Sequence, residues 1–193
     1  ISSIGHESTI GKYSNIGPAA TIAGSSNIGD SCIISMGASV LDQINVGKFT
    51  ANKSEYKVLC RLANNVDMPD GKSFEGYIES ALVEELKLAG MYSQASKITI
   101  NGNLNRTDVS SGMTDAHWTF DLTVSNGNGN QFTVVHKREY SASFMGGFAC
   151  GNDMPKSFLP TVQELIGKIV NHPKFEILVS NNKYDKEIYS VNP

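Results

Sequence analysis

The residues with the most chemistry to offer in this chain are three cysteines and four histidines, and their spacing limits what that chemistry is. Cys60 and Cys150 are the two cysteines of the C-terminal two thirds. In an oxidising compartment they would form a disulfide tying an early strand to the loop before the last helix; in cytosol both would be free thiols. His117 and His136 fall in strand-patterned runs, where each shares a sheet face with polar neighbours. His172 precedes Pro173 at a helix end, where a partial positive charge is favourable on structural grounds alone. All three read as structural. Asp115, Asp121, Glu139 and Asp153 are scattered, so spacing assigns neither a metal cluster nor a carboxylate pair. Gly146, Gly147 and Gly151 lack the Lys-Ser/Thr that completes a phosphate loop. The chemistry-bearing residues thus give one candidate disulfide, Cys60 with Cys150, no catalytic residue and no metal ligand. The cofactor-binding residues stay unassigned.

The elements that carry these residues divide into two units. Every sixth residue from Ile4 is aliphatic: Ile4, Ile10, Ile16, Ile22, Ile28, Ile34, Val40 and Val46. Gly follows the aliphatic at 5, 11, 17, 29 and 47. The residue four past each aliphatic is Ser8, Ser14, Ala20, Ser26, Cys32, Ala38, Ile44 or Thr50, small in all but one case. One large inward residue, one small inward residue and a turn-permitting Gly per hexad fit short strands wound as a parallel β-helix. A period of six falls on no helical stripe, so an amphipathic helix is excluded. Cys32 takes a small inward site, where a buried thiol packs like Ala. A solenoid needs about three or more stacked repeats to outweigh its ordering cost, so these short coils should be capped by the second unit, by other copies, or by residues absent from this chain. Their unpaired edges predict a homo-oligomer, a trimer by preference, through residues 1–50.

Residues 4–51 resemble the hexapeptide-repeat acyltransferases, and the run IGKYSNIGPAATIAGSSNIGDSCI is most similar to the sugar O- and N-acetyltransferases of surface-glycan synthesis. The resemblance implies a left-handed winding with three hexads per coil. Read as an enzyme, it implies a cytoplasmic trimer with an acetyl-CoA cleft between subunits and a His general base. In that family the base lies in a coil reading roughly V-E-H-D; the matching stretch here is Val40, Leu41, Asp42 and Gln43, with Asp42 in the place of the His. His6, the one His of this unit, does not match the motif and reads as a solvated turn residue.

The second unit reads as α+β. Tyr56, Val58, Cys60 and Leu62 alternate as in a half-buried strand, and Ser73 caps a helix whose apolar residues run from Phe74 to Ala89 and which Gly90 closes. Glu84 and Glu85 lie on its solvated face. Strands follow around Ile98–Leu104, Trp118–Val124 and Phe132–Phe144, and Asn126–Asn130 (NGNGN) supplies the hairpin turn between the last two. A second helix is expected from about Ser157 to Asn171 with Pro160 in its first turn, and Phe175–Val179 as a last short strand. The expected architecture is therefore a short left-handed parallel β-helix over 1–51, an α+β domain over 52–180 with an antiparallel sheet and two amphipathic helices, and a tail over 181–193.

Residues 55–179 resemble small bacterial cell-envelope lipoproteins through the segments FEGYIESALVEELKLAGMY, WTFDLTV, EYSASFMGGFAC and VQELIGKIVNHPKF. That resemblance implies a signal peptide, a lipid-modified Cys and a periplasmic or envelope location, and it favours the Cys60–Cys150 disulfide over free thiols. The net charge is -3 and the pI is near 5.8, which leaves no basic field for nucleic acid. No apolar run approaches the roughly 20 residues of a membrane span. The sequence therefore points to a non-catalytic envelope protein, an interaction module carried on a hexapeptide-repeat spacer or oligomerisation element, needing no cofactor and binding an envelope protein partner. The alternative is an acetyl-CoA-dependent acetyltransferase with an accessory domain.

Overall fold

A computed structural model of the chain describes residues 1–5, 8–24, 26–40, 43–62 and 64–179. His6, Asp42 and the tail over 181–193 lie outside the described residues. The chain is mixed α/β. The hexads form two-residue strands: β1 (Ser3–Ile4), β2 (Thr9–Ile10), β3 (Asn15–Ile16), β4 (Thr21–Ile22), β5 (Asn27–Ile28), β6 (Ile33–Ile34), β7 (Ser39–Val40), β8 (Asn45–Val46) and β9 (Thr50–Ala51). Short parallel pairings join β1 to β4, β4 to β7, β2 to β5 and β3 to β6, always with a residue eighteen positions further on, as in Ile4 with Ile22 and Ile10 with Ile28. Three hexads therefore separate each strand from its partner.

Within the hexads, two roles differ from the sequence expectation. At Gly5, Gly11 and Gly17 the glycine is required by close approach rather than by a turn: a Cβ on Gly5 would lie 2.2 Å from the Gly24 nitrogen, and one on Gly11 2.4 Å from the Asp30 nitrogen. The left-handed backbone occurs two residues later, at Tyr13, Ala19, Ser31 and Gly37. The small residues are not simply space-savers. Ser8 Oγ donates to the Ala23 carbonyl and Ser14 Oγ to the Gly29 carbonyl, both at 2.8 Å, so hydroxyls satisfy backbone acceptors that the tight bends leave over. Cys32 is half-buried rather than buried as expected.

After residue 51 the chain forms a hairpin, β10 (Lys57–Cys60) with β11 (Asn64–Asp67), then α1 (Phe74–Leu88), and then three long antiparallel strands: β12 (Thr99–Ser110), β13 (His117–Asn126) and β14 (Gln131–Glu139). Leu62, expected in the first strand, instead sits in the hairpin turn with φ 56°, because the chain reverses at Arg61 and Leu62. Ser73 caps α1 by accepting from the Gly76 N–H, and Gly90 ends it at φ 70°. A helical turn α2 (Gly146–Phe148) and a wider turn over Ala149–Asp153 lead into α3 (Met154–Val170) and the short α4 (Phe175–Val179).

Three sequence expectations are corrected here. The third long strand stops at Glu139, and the residues up to Phe144 are loop. Helix α3 begins at Met154, so Pro160 lies inside it and removes a hydrogen bond to the Lys156 carbonyl instead of sitting in the first turn. Phe175–Val179 is helical because its two buried residues, Phe175 and Leu178, are three apart, a spacing that places both on one helix face but on opposite faces of a strand.

Alternation along the long strands puts Ile100, Leu104, Trp118, Phe120, Leu122, Val124, Phe132 and Val134 on one face, where α1 and α3 cover them. Phe74, Trp118, Phe120 and Phe158 form the aromatic centre, with ring centroids 5.3 to 6.2 Å apart. The buried indole N–H of Trp118 donates to Ser157 Oγ at 2.8 Å, which satisfies the one polar atom of that ring. The hexad segment joins this core directly. Strands β8 and β9 pair in parallel with β12, Ile44 and Phe49 are buried among the core residues, and the Phe49 ring lies against the backbone of Gly102.

Cys60 and Cys150 are bonded, with Cα atoms 5.7 Å apart and a sequence separation of 90. The bridge fastens the β10–β11 hairpin to the turn preceding α3. Closing a loop of that length is worth about 4–5 kcal/mol in the chain-entropy model, so replacing both cysteines with Ser should lower the unfolding free energy by most of that amount, read as a lower urea midpoint. Gly102→Ala should also destabilise, by about 1–3 kcal/mol, since its Cβ would meet the Phe49 ring at 2.4 Å. Denaturant titration of that variant checks the estimate.

Candidate functional site: the open face of the sheet

Helices cover one face of the sheet, and the other carries a connected set of polar side chains. The sequence from Thr99 to Arg106 alternates Asn101, Asn103 and Asn105 with Gly102 and Leu104, so one face is amide and the other core. Register shifts between Leu104 and Arg106, where Asn105 is the extra residue of a β-bulge. The bulge aims the Asn105 amide along the outer face. Its Nδ2 donates to Asp121 Oδ1 at 2.8 Å and to Thr123 Oγ1 at 2.9 Å, while its carbonyl oxygen accepts from Asn103 at 2.9 Å. Asn103 also donates to Asn52 and accepts from Thr50, and Thr123 pairs with Thr133 across to β14. The network therefore crosses from β9 to β14 and holds these side chains in fixed rotamers.

Towards the far end of the strands the same face becomes charged. Arg106 and His117 Nε2 flank Asp108 at 4.0 and 3.5 Å, and Lys137 pairs with Glu139 at 2.8 Å. The Lys137 ammonium holds the Glu139 carboxyl below its ordinary range. Beyond the strand ends an open groove of about 360 Å³ is lined by residues including Asp115, Ala116, Glu139 and Tyr140. Burial pushes the Tyr140 phenol up to about 12, and its hydroxyl donates to the Ser110 carbonyl. This surface offers donors and acceptors in a regular two-dimensional array, the chemistry of recognition by hydrogen bonding.

The sequence-singled residues are distributed as follows. Asp121 is brought into the network, and His117 and Glu139 into the charged end, whereas Asp115 lines the groove and offers its backbone carbonyl, 2.6 Å from His117 Nδ1. Asp153 lies elsewhere: it accepts from the Ser143 N–H and hydroxyl, which hold its carboxyl low. Gly146 and Gly147 belong to α2, and Gly151 to the wider turn that follows it. Glu84 is exposed and pairs with Lys87. His172 stacks flat on Phe132 with centroids 4.1 Å apart. Among the described residues, no group of three or more His, Cys, Asp or Glu is placed to hold a metal. Asn103, Asn105 and Thr123 were not foreseen; the period-two asparagines of NGNLN were the available signal, whereas the bulge leaves none.

His136 is on the inner face, buried between β14 and α3. Its Nε2 lies 3.1 Å from Glu164 Oε2 without an aligned hydrogen bond, and the other Glu164 oxygen takes Arg138. Burial, then the nearby Lys168 and Arg138 cations, lowers the imidazole pKa below its ordinary value of 6.5. A depressed folded pKa means the fold binds the proton less readily than the unfolded chain. Stability is then complete above about pH 6.5 and declines as pH falls below it. Urea midpoints at about pH 7.5 and about pH 5 should differ more for the wild type than for His136→Phe.

No family model and no curated protein matches the chain. Among solved structures it is similar to the hypothetical protein CT253 from Chlamydia trachomatis, at 6% identity over 67% of this chain and 95% of that one, with a TM-score of 0.42.

Proposed function

We propose that this is a non-catalytic bacterial envelope protein whose α+β module recognises an envelope protein through the open sheet face, with the hexads serving as a spacer or oligomerisation element. The observation that carries the reading is the polar network from Asn52 to Thr133. Solvated side chains on an uncovered sheet have no packing reason to be locked together, whereas a recognition surface gains from rotamers fixed before binding. The Cys60–Cys150 bridge supports an oxidising, extracytoplasmic setting. No helix among the described residues is long and apolar enough to cross a membrane.

The hexads are proposed to wind left-handed and to associate as a homo-oligomer, a trimer by preference. Support comes from the gradient of exposure along the aliphatic stack: Ile4 and Ile10 are 50% and 38% exposed, whereas their partners Ile22 and Ile28 are 1% and 8% exposed. The exposed aliphatics of β1 and β2 give a second copy an apolar surface to cover. The eighteen-residue register favours a second reading, an acetyl-CoA-dependent sugar O- or N-acetyltransferase, because such coils are what the hexapeptide acyltransferases are similar in having. Calorimetric titration with acetyl-CoA separates the two. No heat at millimolar ligand is the expected outcome, and micromolar binding would transfer the assignment to the enzyme. Light scattering should give an oligomeric mass at high protein concentration; a strictly monomeric mass would remove the oligomerisation role.

A further inference from the structure

The loop between β14 and α3 runs from 140 to 152 without a charged side chain. It is tied down at several points. The disulfide holds Cys150, Asp153 accepts from the Ser143 N–H and hydroxyl, and the Arg61 guanidinium donates to the carbonyls of Ser143, Phe144 and Ser111. These bonds turn the Arg61 guanidinium and the Asp153 carboxylate onto the loop. Apolar side chains are left outermost: Phe144 is 81% exposed, Met145 62% and Phe148 58%. The Phe148 N–H donates to the Met145 carbonyl at 3.0 Å, which folds the chain back so that Phe148 returns beside Met145, and the Arg61 bond to the Phe144 carbonyl brings the hairpin turn up to them. Leu62, 91% exposed, stands next to Arg61 in a hairpin turn where both residues hold positive φ, a conformation that costs energy in side-chain-bearing residues.

We propose that Leu62, Phe144, Met145 and Phe148 form a lipid-inserting tip that seats this end of the molecule in the interfacial layer of a bilayer. Exposed apolar groups of this kind mark an interaction site. These side chains project from the surface, so a protein partner would need a matching pit for each, whereas the disordered headgroup and acyl boundary accommodates any projecting apolar shape. The absence of charge on the loop matches an uncharged apolar phase and gives no complement for the polar rim of a protein interface. Aromatic side chains favour that interface as well. The covalent and hydrogen-bonded anchoring presents the tip already ordered, so insertion does not have to fix the loop. This surface is separate from the sheet face and from the hexads, and its failure would leave the recognition reading standing.

Flotation of the full chain with vesicles of pure phosphatidylcholine tests the proposal. The wild type should float with the lipid at low and high salt alike. Two independent pairs, Phe144→Ser with Phe148→Ser and Leu62→Ser with Met145→Ser, should each lower the partition coefficient at least tenfold. Both should keep the wild-type thermal midpoint, because the replaced groups are solvent-exposed. Three results would overturn the proposal: no flotation of the wild type at millimolar lipid, binding confined to anionic vesicles and lost in high salt, or lipid-free self-association that the same substitutions abolish.

Discussion

Strand β12 is hydrogen-bonded on both edges over its first half, and the rest of the molecule is arranged around that fact. On one side it carries the antiparallel meander through β13 to β14; on the other, β8 and β9 cover the edge from Thr99 to Leu104 with parallel pairing. Exposed strand edges invite association with other chains, so the final hexads give the sheet a boundary. Gly102 makes the junction possible. With no Cβ at that position the Phe49 ring can lie on the strand, and the backbone N–H of Phe49 donates to Glu79 on α1 at 2.7 Å. A single bend of chain thus joins the hexads, the sheet and the helix layer in one core.

Two further constraints act at the other end of the strands. Trp118, buried against Phe74 and Phe158, fixes the separation of sheet and helices there, and Ser157 inside α3 completes its hydrogen bonding. The disulfide then ties the β10–β11 hairpin to the start of the same helix. At the hairpin end, Asn126 accepts from the Asn128 and Asn130 N–H groups and donates to the Leu178 carbonyl, so the NGNGN turn also receives the C-terminal helix. The two surfaces argued to act, the polar sheet face and the apolar tip, are held by opposite means. One is locked by side-chain hydrogen bonds, the other by covalent and backbone attachment.

Much of this was legible in the residues, for reasons that differ by element. The hexads, α1 and the NGNGN hairpin each announce themselves by a period or a cap within a short window. The pairing of β8 and β9 with β12 was not legible, because a parallel contact between residues 45 and 99 has no local signature. The segment α4 reads as a strand from its residues alone because five residues, apolar but for Glu176, are too few to distinguish the two periods. Cys60 and Cys150 were readable as a pair but their bonding depended on a compartment, which a spacing does not carry. At the open face, the alternating asparagines were visible, but the Asn105 bulge that unites them with Asp121 depends on the register of a partner strand.

Amide hydrogen exchange at the junction is the most direct measurement of the central claim, that the last hexads and the α+β layer share one cooperative core. The N–H groups of Asn45, Gly47 and Asn52 donate to the carbonyls of Ile98, Ile100 and Leu104 at 2.8, 2.8 and 3.0 Å. Protection at these three amides equal to that of the central strand β13 is the predicted result, since exchange would then require opening of the whole core. Exchange at the rate of an unstructured chain, with β13 still protected, would contradict it and would make the hexads an independent appendage.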